Sequence, residues 1–250
     1  MITAILNLYR RPQNLLEQIK RINEQSIKPQ EIWIWKNYHE DLNEIAWDNF
    51  KRHASDSGIK IFDCNHNWKY CGRFAAACLV DTEYVAIFDD DTMPGNKWFE
   101  NCLNTHKKTP GIMGTVGVNI HNTNTYQPNT RYGWVSGNED TVEVDLVGHA
   151  WFFPSEYIKY MWMEKPMWEN GEDMHFSAMS QIHGGIKTYV PPHPKGNKEL
   201  WGSIEGIKLG VDDVASSAVR NHFEFYKQRN ECVKRLYELG WNTVLGGKNA

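Results

Sequence analysis

Disulfide frameworks, thiolate metal sites, membrane spans and dinucleotide loops all leave marks in a sequence, and this 250-residue chain carries none of them. Its five cysteines, Cys64, Cys71, Cys78, Cys102 and Cys232, are odd in number, and no two form a CxxC pair. Free thiols in a reducing compartment are expected, not a bridged scaffold or a zinc site. No uninterrupted apolar run approaches membrane-spanning length. The opening MITAILNLYRRP has neither the charged start nor the long apolar core of a signal peptide, so the expected location is the cytoplasm. Formal net charge is −4, which gives no electrostatic case for nucleic acid or an anionic membrane as partner. No GxGxxG follows the first predicted strand, so a dinucleotide fingerprint is missing. Repeats, low-complexity tracts and interdomain linkers are absent too.

What is present is a soluble globular composition, 41% hydrophobic and 23% charged, with an excess of tryptophan at eleven residues. The length suits one large domain of two halves, residues 1–91 and 92–250. The most informative stretch runs from Tyr84 to Gly95. Tyr84, Val85, Ala86, Ile87 and Phe88 make an unbroken apolar run too short for a helix, which reads as a buried strand. It ends in Asp89, Asp90 and Asp91, and Pro94-Gly95 closes a turn. Three adjacent carboxylates at a buried strand end repel one another and lose hydration, more than helix capping requires. Such a cluster calls for a hard divalent cation, Mg²⁺ or Mn²⁺.

The rest of the first half alternates. Thr3–Tyr9, Glu31–Lys36 and Ile59–Phe62 read as strands, and helices are expected over Gln13–Gln25, Asp41–Ala54 and Arg73–Val80. This β-α-β-α-β-α-β order predicts a mostly parallel sheet. Polar residues stand at successive strand ends and would converge on one crevice: Asn7 and Arg10, Lys36 and Asn37, Asn65 and Asn67, then the acids. The second half is mixed. Helices are expected over Asn96–Lys108, Ser155–Trp162, Glu172–His183 and Ser216–Leu239, and strands over Thr115–Ile120, Thr141–Val147, Ala150–Phe153 and Thr188–Val190. His121–Asp140 reads as a loop or ragged hairpin, and Pro191–Val214 as a long irregular segment of the kind that forms lids.

Three further constellations stand out. Glu172 and Asp173 open a helix, where acids complement the dipole but could also face a cleft. His193 sits in a Pro-flanked turn past the last strand, a place to aim an imidazole at a metal or phosphate, although a lone histidine is more often simply hydrogen-bonded. Arg73, at a loop-to-helix junction, can pair with a phosphate, a base or the acids. Trp134, Trp151 and Trp168 lie in or near second-half loops and can stack on sugar faces, with core packing the default for Trp151.

Taken in order, these pieces resemble the metal-dependent glycosyltransferases of the GT-A fold, which have a Rossmann-like nucleotide-binding half with a mixed central sheet and an acceptor-binding half. Asp89-Asp90-Asp91 is similar to their Asp-x-Asp motif. WIWKN, CGRF, DLVGHAWFF, GEDMHFS and RNECVKRLYELG resemble segments of the exostosin-like group within that fold. The resemblance implies a hexosyl- or N-acetylhexosaminyltransferase moving sugar from a nucleotide diphosphate sugar, a UDP-sugar, to a saccharide or glycoconjugate acceptor. Mn²⁺ or Mg²⁺ would be held by Asp91, with Asp89 and Asp90 touching ribose, sugar or metal waters. Arg10, Asn37, Asn65 and Arg73 would hold base, ribose or diphosphate, and His193 would complete the metal or diphosphate site. Asp173, with Glu172, would face the acceptor or anomeric centre. The exostosin-like likeness favours retention of configuration. Inverting family-two transferases also carry an Asp-x-Asp and a Glu-Asp, and there Asp173 would be the general base.

Other functions fit less well. A haloacid-dehalogenase-like phosphatase needs a threonine where Met93 stands, and its acids follow the first strand. A nucleotidyltransferase opens with a Gly-rich loop, and LNLYRRPQNLL has no glycine. A non-catalytic sugar-nucleotide-binding module would not need the intact acidic triplet.

Overall fold

The computed structural model describes residues 1–40, 42, 44–133, 136–167, 169–210, 218 and 221–246. The first strand, β1 (Ile2–Leu8), is buried along its whole length, as a central parallel strand with both faces covered must be. It pairs in parallel with β2 (Glu31–Lys36) on one side and β4 (Tyr84–Phe88) on the other, and β3 (Lys60–Asp63) extends the sheet beyond β2. Beyond β4 the direction reverses. β8 (Leu146–Pro154) runs antiparallel to β4, β5 (Ile112–Ile120) antiparallel to β8, β9 (Thr188–Val190) parallel to β5, and β7 (Val142–Val144) antiparallel to β9. The order is β3-β2-β1-β4-β8-β5-β9-β7, with β6 (Asn129–Tyr132) paired to β5. The sheet is thus parallel in the first half and mixed in the second, in a mixed α/β fold.

Strand alternation sends side chains to two packed layers. On one face, Ala4, Leu6, Ala86, Phe88 and Phe152 pack with Leu15 and Ile22 of α1 (Leu15–Asn23), Trp47 of α2 (Glu44–Asp56), and Trp98 and Phe99 of α4 (Trp98–Lys108). On the other, Ile5, Val85, Ile87, Trp151 and Phe153 pack with Phe74 of α3 (Gly72–Ala77) and Phe176 of α5 (Glu172–Gly184). A third cluster joins α5 to α7 (His222–Glu238) through Met174, Met179, Cys232, Val233 and Leu236. All five cysteines are free. No helix of the described residues is long and apolar enough to cross a membrane.

Several boundaries differ from the sequence expectation. β5 begins three residues earlier, at Ile112. The chain turns at Asp145, not after Val147, because the Asp145 carboxylate accepts the Ile120 N–H at 2.7 Å and its own N–H bonds Val118 O at 3.0 Å. Ser155–Trp162 is a 3-10 helix. α3 stops at Ala77, short of Val80. The closing helix starts at His222, and residues 216, 217, 219 and 220 lie outside the described set. Residues 191–205 are a packed strap, not a lid. Gly95 N–H bonds Trp201 O at 2.8 Å, Lys97 N–H bonds Glu199 O at 2.8 Å, and Ile204 N–H bonds Met93 O at 2.8 Å. A short helix, α6 (Gly206–Gly210), follows, and residues 211–214 of the expected irregular segment lie outside the described set.

The turn after β4 is held from beneath by amide side chains of the α1 region. Asn14 Nδ2 donates to Asp90 O at 2.9 Å, Gln18 Nε2 to the carbonyls of Asp89 and Thr92, each at 2.8 Å, and Gln25 Nε2 to Gly95 O at 2.7 Å. These bonds satisfy backbone carbonyls that the turn leaves without a strand partner. Gln18→Leu should therefore lower unfolding free energy by about 1–3 kcal/mol, since two buried acceptors lose their donor. Leu16→Gln, two residues away and 68% exposed, should stay within about 0.5 kcal/mol. Urea denaturation of the two variants checks both; equal losses would show that Gln18 contributes nothing special.

Candidate active site

The strand order reverses its sense of progression between β1 and β4, and the carboxyl ends of these strands flank a cleft of about 610 Å³. Ligand clefts of open α/β sheets lie at such switch points. The sequence places Tyr9, Arg10 and Arg11 after β1, Asn37 after β2, Asn67 and Lys69 in the loop after β3, and the three acids after β4. All line the cleft. The opposite wall comes from the second half: Gly148, His149 and Trp151 of β8, Glu172 and Asp173 of α5, and the first turns of α7.

The three acids have separate partners. Asp90 turns back to β1, accepting Arg11 Nη1 at 2.9 Å and the Arg10 N–H at 3.2 Å. It locks the ends of β1 and β4 together, and that is where its carboxylate is engaged. Asp89 pairs with Arg73 at 3.1 Å. Asp91 lies 3.4 Å from Arg11 and 3.7 Å from His149 Nδ1. Burial pushes Asp89 up, and Asp91 and Asp90 add to this, while Arg73 and His149 pull it down. Burial also raises Asp91, but His149, Arg11 and Thr92 outweigh it and leave this carboxyl below its ordinary value. One carboxylate oxygen each from Asp89 and Asp91 and a ring nitrogen of His149 lie within 4.8 Å of one another. This donor set fits a divalent cation. Two hard oxygens and one borderline nitrogen suit Mn²⁺ better than Mg²⁺, which prefers oxygen alone.

His149 was not a sequence candidate. It reaches the acids because β8 carries one extra residue against β5, where the register shifts between Val116↔Gly148 and Gly114↔Trp151. At the bulge His149 adopts φ +66, outside the strand region. A bulge re-aims a side chain that simple alternation would send elsewhere. Its backbone also serves the site, since His149 O accepts from Asp89 N–H at 2.9 Å and Thr92 Oγ1 at 3.0 Å. The available signal was one polar residue inside the apolar run LVGHAWFF.

Arg73 bridges the two halves. Its Nη2 lies 3.1 Å from Asp89 and 2.9 Å from Glu172, and the guanidinium sits 4.9 Å from the Trp151 ring centre. Only 2% of it is exposed, so it is no solvated surface arginine. Glu172 is buried too. Desolvation pushes its carboxyl up, Asp173 adds repulsion, and Arg73 opposes both. Asp173 points away from its neighbour: its Oδ2 meets Arg229 Nη2 at 2.8 Å and its Oδ1 accepts the Met174 N–H at 2.8 Å. The helix-start and cleft-facing readings of these acids are thus both realised. Gly171 sets their position at φ +94, and a Cβ there would meet Cys232 Sγ at 2.7 Å. Arg229, which sequence reasoning passed over as a site residue, also bonds Asn170 Oδ1 at 3.3 Å and lies 4.1 Å from the Tyr126 ring centre.

Comparison with known proteins decides the family. The Glycosyl transferase family 2 model matches residues 3–168. The chain belongs to glycosyl transferase family 2. No curated protein matches it. The structure is similar to that of S. aureus TarS, with a TM-score of 0.52 and 13% identity over 76% of this chain and 36% of that one. TarS 1-349 gives 0.51 and 12% over 76% and 60%, and its complex with UDP-GlcNAc 0.52 and 12% over 79% and 60%. The chain therefore spans about a third to three fifths of those chains, and at such identity the likeness is one of fold, the GT-A type.

Within this family 2 fold, some expected site residues lie elsewhere. Asn65 is exposed and outside the cleft; Asn67 lines it instead, donating to Tyr9 Oη at 3.1 Å. Asn37 lines the cleft, but its amide is engaged with Lys69 O at 2.9 Å and the Trp68 N–H at 3.0 Å, so it shapes the loop. Trp134 and Trp168 lie outside the described residues. His193 is fully buried away from the acids. Its Nδ1–H donates to Pro191 O at 2.7 Å and its Nε2 accepts the Gly202 N–H at 2.9 Å, leaving no lone pair for a metal.

Burial lowers His193 from 6.5 to about 4, and His175, also buried, to about 4. Both values are depressed, so between them and 6.5 the unfolded chain binds protons that the folded chain refuses. Stability from these groups is complete above 6.5 and falls as pH drops toward 4. From about pH 7 to about pH 5 each should cost on the order of 2 kcal/mol. Urea unfolding of the protein and of His193→Gln at both pH values tests this: the variant should show a loss smaller by about one histidine's share. An identical loss would remove His193 from the acid sensitivity.

Proposed function

We propose that the protein transfers a sugar from a uridine diphosphate sugar to a saccharide hydroxyl with Mn²⁺ bound at Asp89, Asp91 and His149, and inverts the anomeric configuration. One observation carries the reading. The three-ligand donor set and the Asp173 carboxylate face the same cleft, one from each half of the chain. Family membership supports the reaction class, and the TarS complex with UDP-GlcNAc supports the donor class.

The divalent cation would neutralise charge on the departing diphosphate, which is a poor leaving group without it. The chain's own residues do the rest. Arg10, Tyr9 and Asn67 line the side where base and ribose would lie, and Arg73 would face the diphosphate while keeping Asp89 and Glu172 in place. Asp173 takes the proton of the attacking hydroxyl on the face opposite the leaving group. Arg229 Nη2, at 2.8 Å, fixes the direction of that carboxylate. The bond from anomeric carbon to diphosphate breaks as the bond to the acceptor oxygen forms. A retaining course, in line with the exostosin-like resemblance, would instead leave that proton to the departing phosphate.

Asp91→Asn should abolish Mn²⁺-dependent binding of UDP-sugar in calorimetry; binding that persists with Mn²⁺ would remove Asp91 as a ligand. Asp173→Asn should lower turnover by about 10²–10⁴-fold, the usual worth of a general base, with donor affinity nearly unchanged. Anomeric coupling in the proton NMR spectrum of the product, read against the donor, decides between inversion and retention.

A further inference from the structure

Among the described residues, two non-glycine positions have positive φ, His149 at +66 and Lys69 at +52, and both line the cleft. Left-handed backbone is strained for a residue with a Cβ, and such strain gathers at functional sites. His149 uses it to bring a ring nitrogen beside the acids. In the loop after β3, Lys69 is fixed in this conformation from both sides. Its N–H donates to Asn67 Oδ1 at 2.9 Å, Asn37 Nδ2 donates to its carbonyl at 2.9 Å, and Asn37 Oδ1 accepts the Trp68 N–H at 3.0 Å. A glycine would make the same turn without strain, so the turn alone does not account for a lysine.

The lysine side chain reaches the other half of the chain. Its Nζ lies 3.2 Å from Glu169 Oε2, and both residues line the cleft. Arg73 and Glu172, four and three residues further on, meet at 2.9 Å between the same two segments. Two cation–acid rungs of different kinds therefore cross the cleft. The inner rung, Arg73–Glu172, is buried, and breaking it would strand a charge away from water. The outer rung is wet, its side chains 44% and 61% exposed, and pairs of that kind contribute little and exchange readily. A diphosphate carries more charge than one carboxylate and offers more acceptor oxygens, so it outcompetes Glu169 for an ammonium within reach. Lysine suits such an exchange, with a compact charge on a flexible four-carbon stem.

Resting on the transferase reading above, we propose that Lys69 is a further donor-binding residue. Its ammonium leaves Glu169 for the diphosphate of the incoming nucleotide sugar, so the donor itself opens the outer rung. Calorimetry on the full chain with Mn²⁺ and UDP tests it, with uridine titrated by NMR as the phosphate-free probe. Lys69→Gly relieves the left-handed strain and so keeps the fold. It should weaken UDP binding by about 5- to 50-fold, the worth of a partly exposed charge-assisted contact, and leave uridine binding unchanged. Lys69→Arg keeps the charge and should retain most of the UDP affinity. Glu169→Gln frees the ammonium and should tighten UDP binding by about 1.5- to 5-fold. A pair that merely braced the two halves would give the opposite sign there, since losing either end would loosen the cleft. Weaker UDP binding in Glu169→Gln, equal losses of UDP and uridine in Lys69→Gly, or UDP binding indifferent to Lys69→Gly would each overturn the proposal. A native chain that binds no UDP would strike the transferase reading itself, whereas differences among variants that bind it read Lys69 alone.

Discussion

Three carboxylates in a row at the end of a buried strand must be held apart and held still, and the surrounding structure is arranged to do so. Asn14, Gln18 and Gln25 fix the backbone of the turn through its carbonyls. The strap around Trp201 and Ser203 closes over it, and β8 bonds it from the side. With the backbone immobile, the three side chains can be aimed differently: Asp90 back to Arg11, Asp89 across to Arg73, Asp91 toward His149. A loose turn would let them splay into solvent, and the convergent donor set would disappear.

The same economy of charge runs across the cleft. Both acids at the start of α5 face a guanidinium, the buried Glu172 that of Arg73, which it shares with Asp89, and the half-buried Asp173 that of Arg229. Removing one member of such a pair leaves the other buried and uncompensated, which is strongly destabilising. The pairs also set direction. Two consecutive residues at the start of α5 are pulled by different helices, α3 and α7, so one carboxylate joins the metal side and the other faces the second lobe. Arg73 touches both walls, and Trp151 beneath it shields that contact from water.

Much of the fold was legible because local patterns carried it. The alternating apolar runs and helical stripes of the first half announce a parallel sheet, and the strand-end acids announce the crevice. The second half was harder to read. β6 hides in a polar stretch that reads as loop, since strands with an exposed face need not be apolar. The strap at residues 191–205 looked like a lid because the hydrogen bonds that dock it on the turn after β4 run to residues about a hundred positions away. His193 was misread for a related reason: a Pro-flanked histidine looks presented, but both its nitrogens meet backbone that only the fold brings near. Asn65 and Asn67 differ by two positions, and loop geometry alone decides which one turns inward.

What the sequence by itself determined was chemistry at known positions along known elements: three acids after β4, two more at the start of α5, an arginine at the start of α3. Nearest-neighbour sterics and hydrophobic periodicity are local, so these placements follow from the residues themselves. Tertiary structure decided which groups meet. His149 enters the site through one extra residue in β8, Arg229 through the packing of α7 on α5 at Gly171 and Cys232, and the amide props through the docking of α1 under a turn some seventy residues away. Such meetings depend on register and on contacts distant in sequence, and a bulge or a left-handed glycine changes them without altering the local pattern from which strands and helices are read.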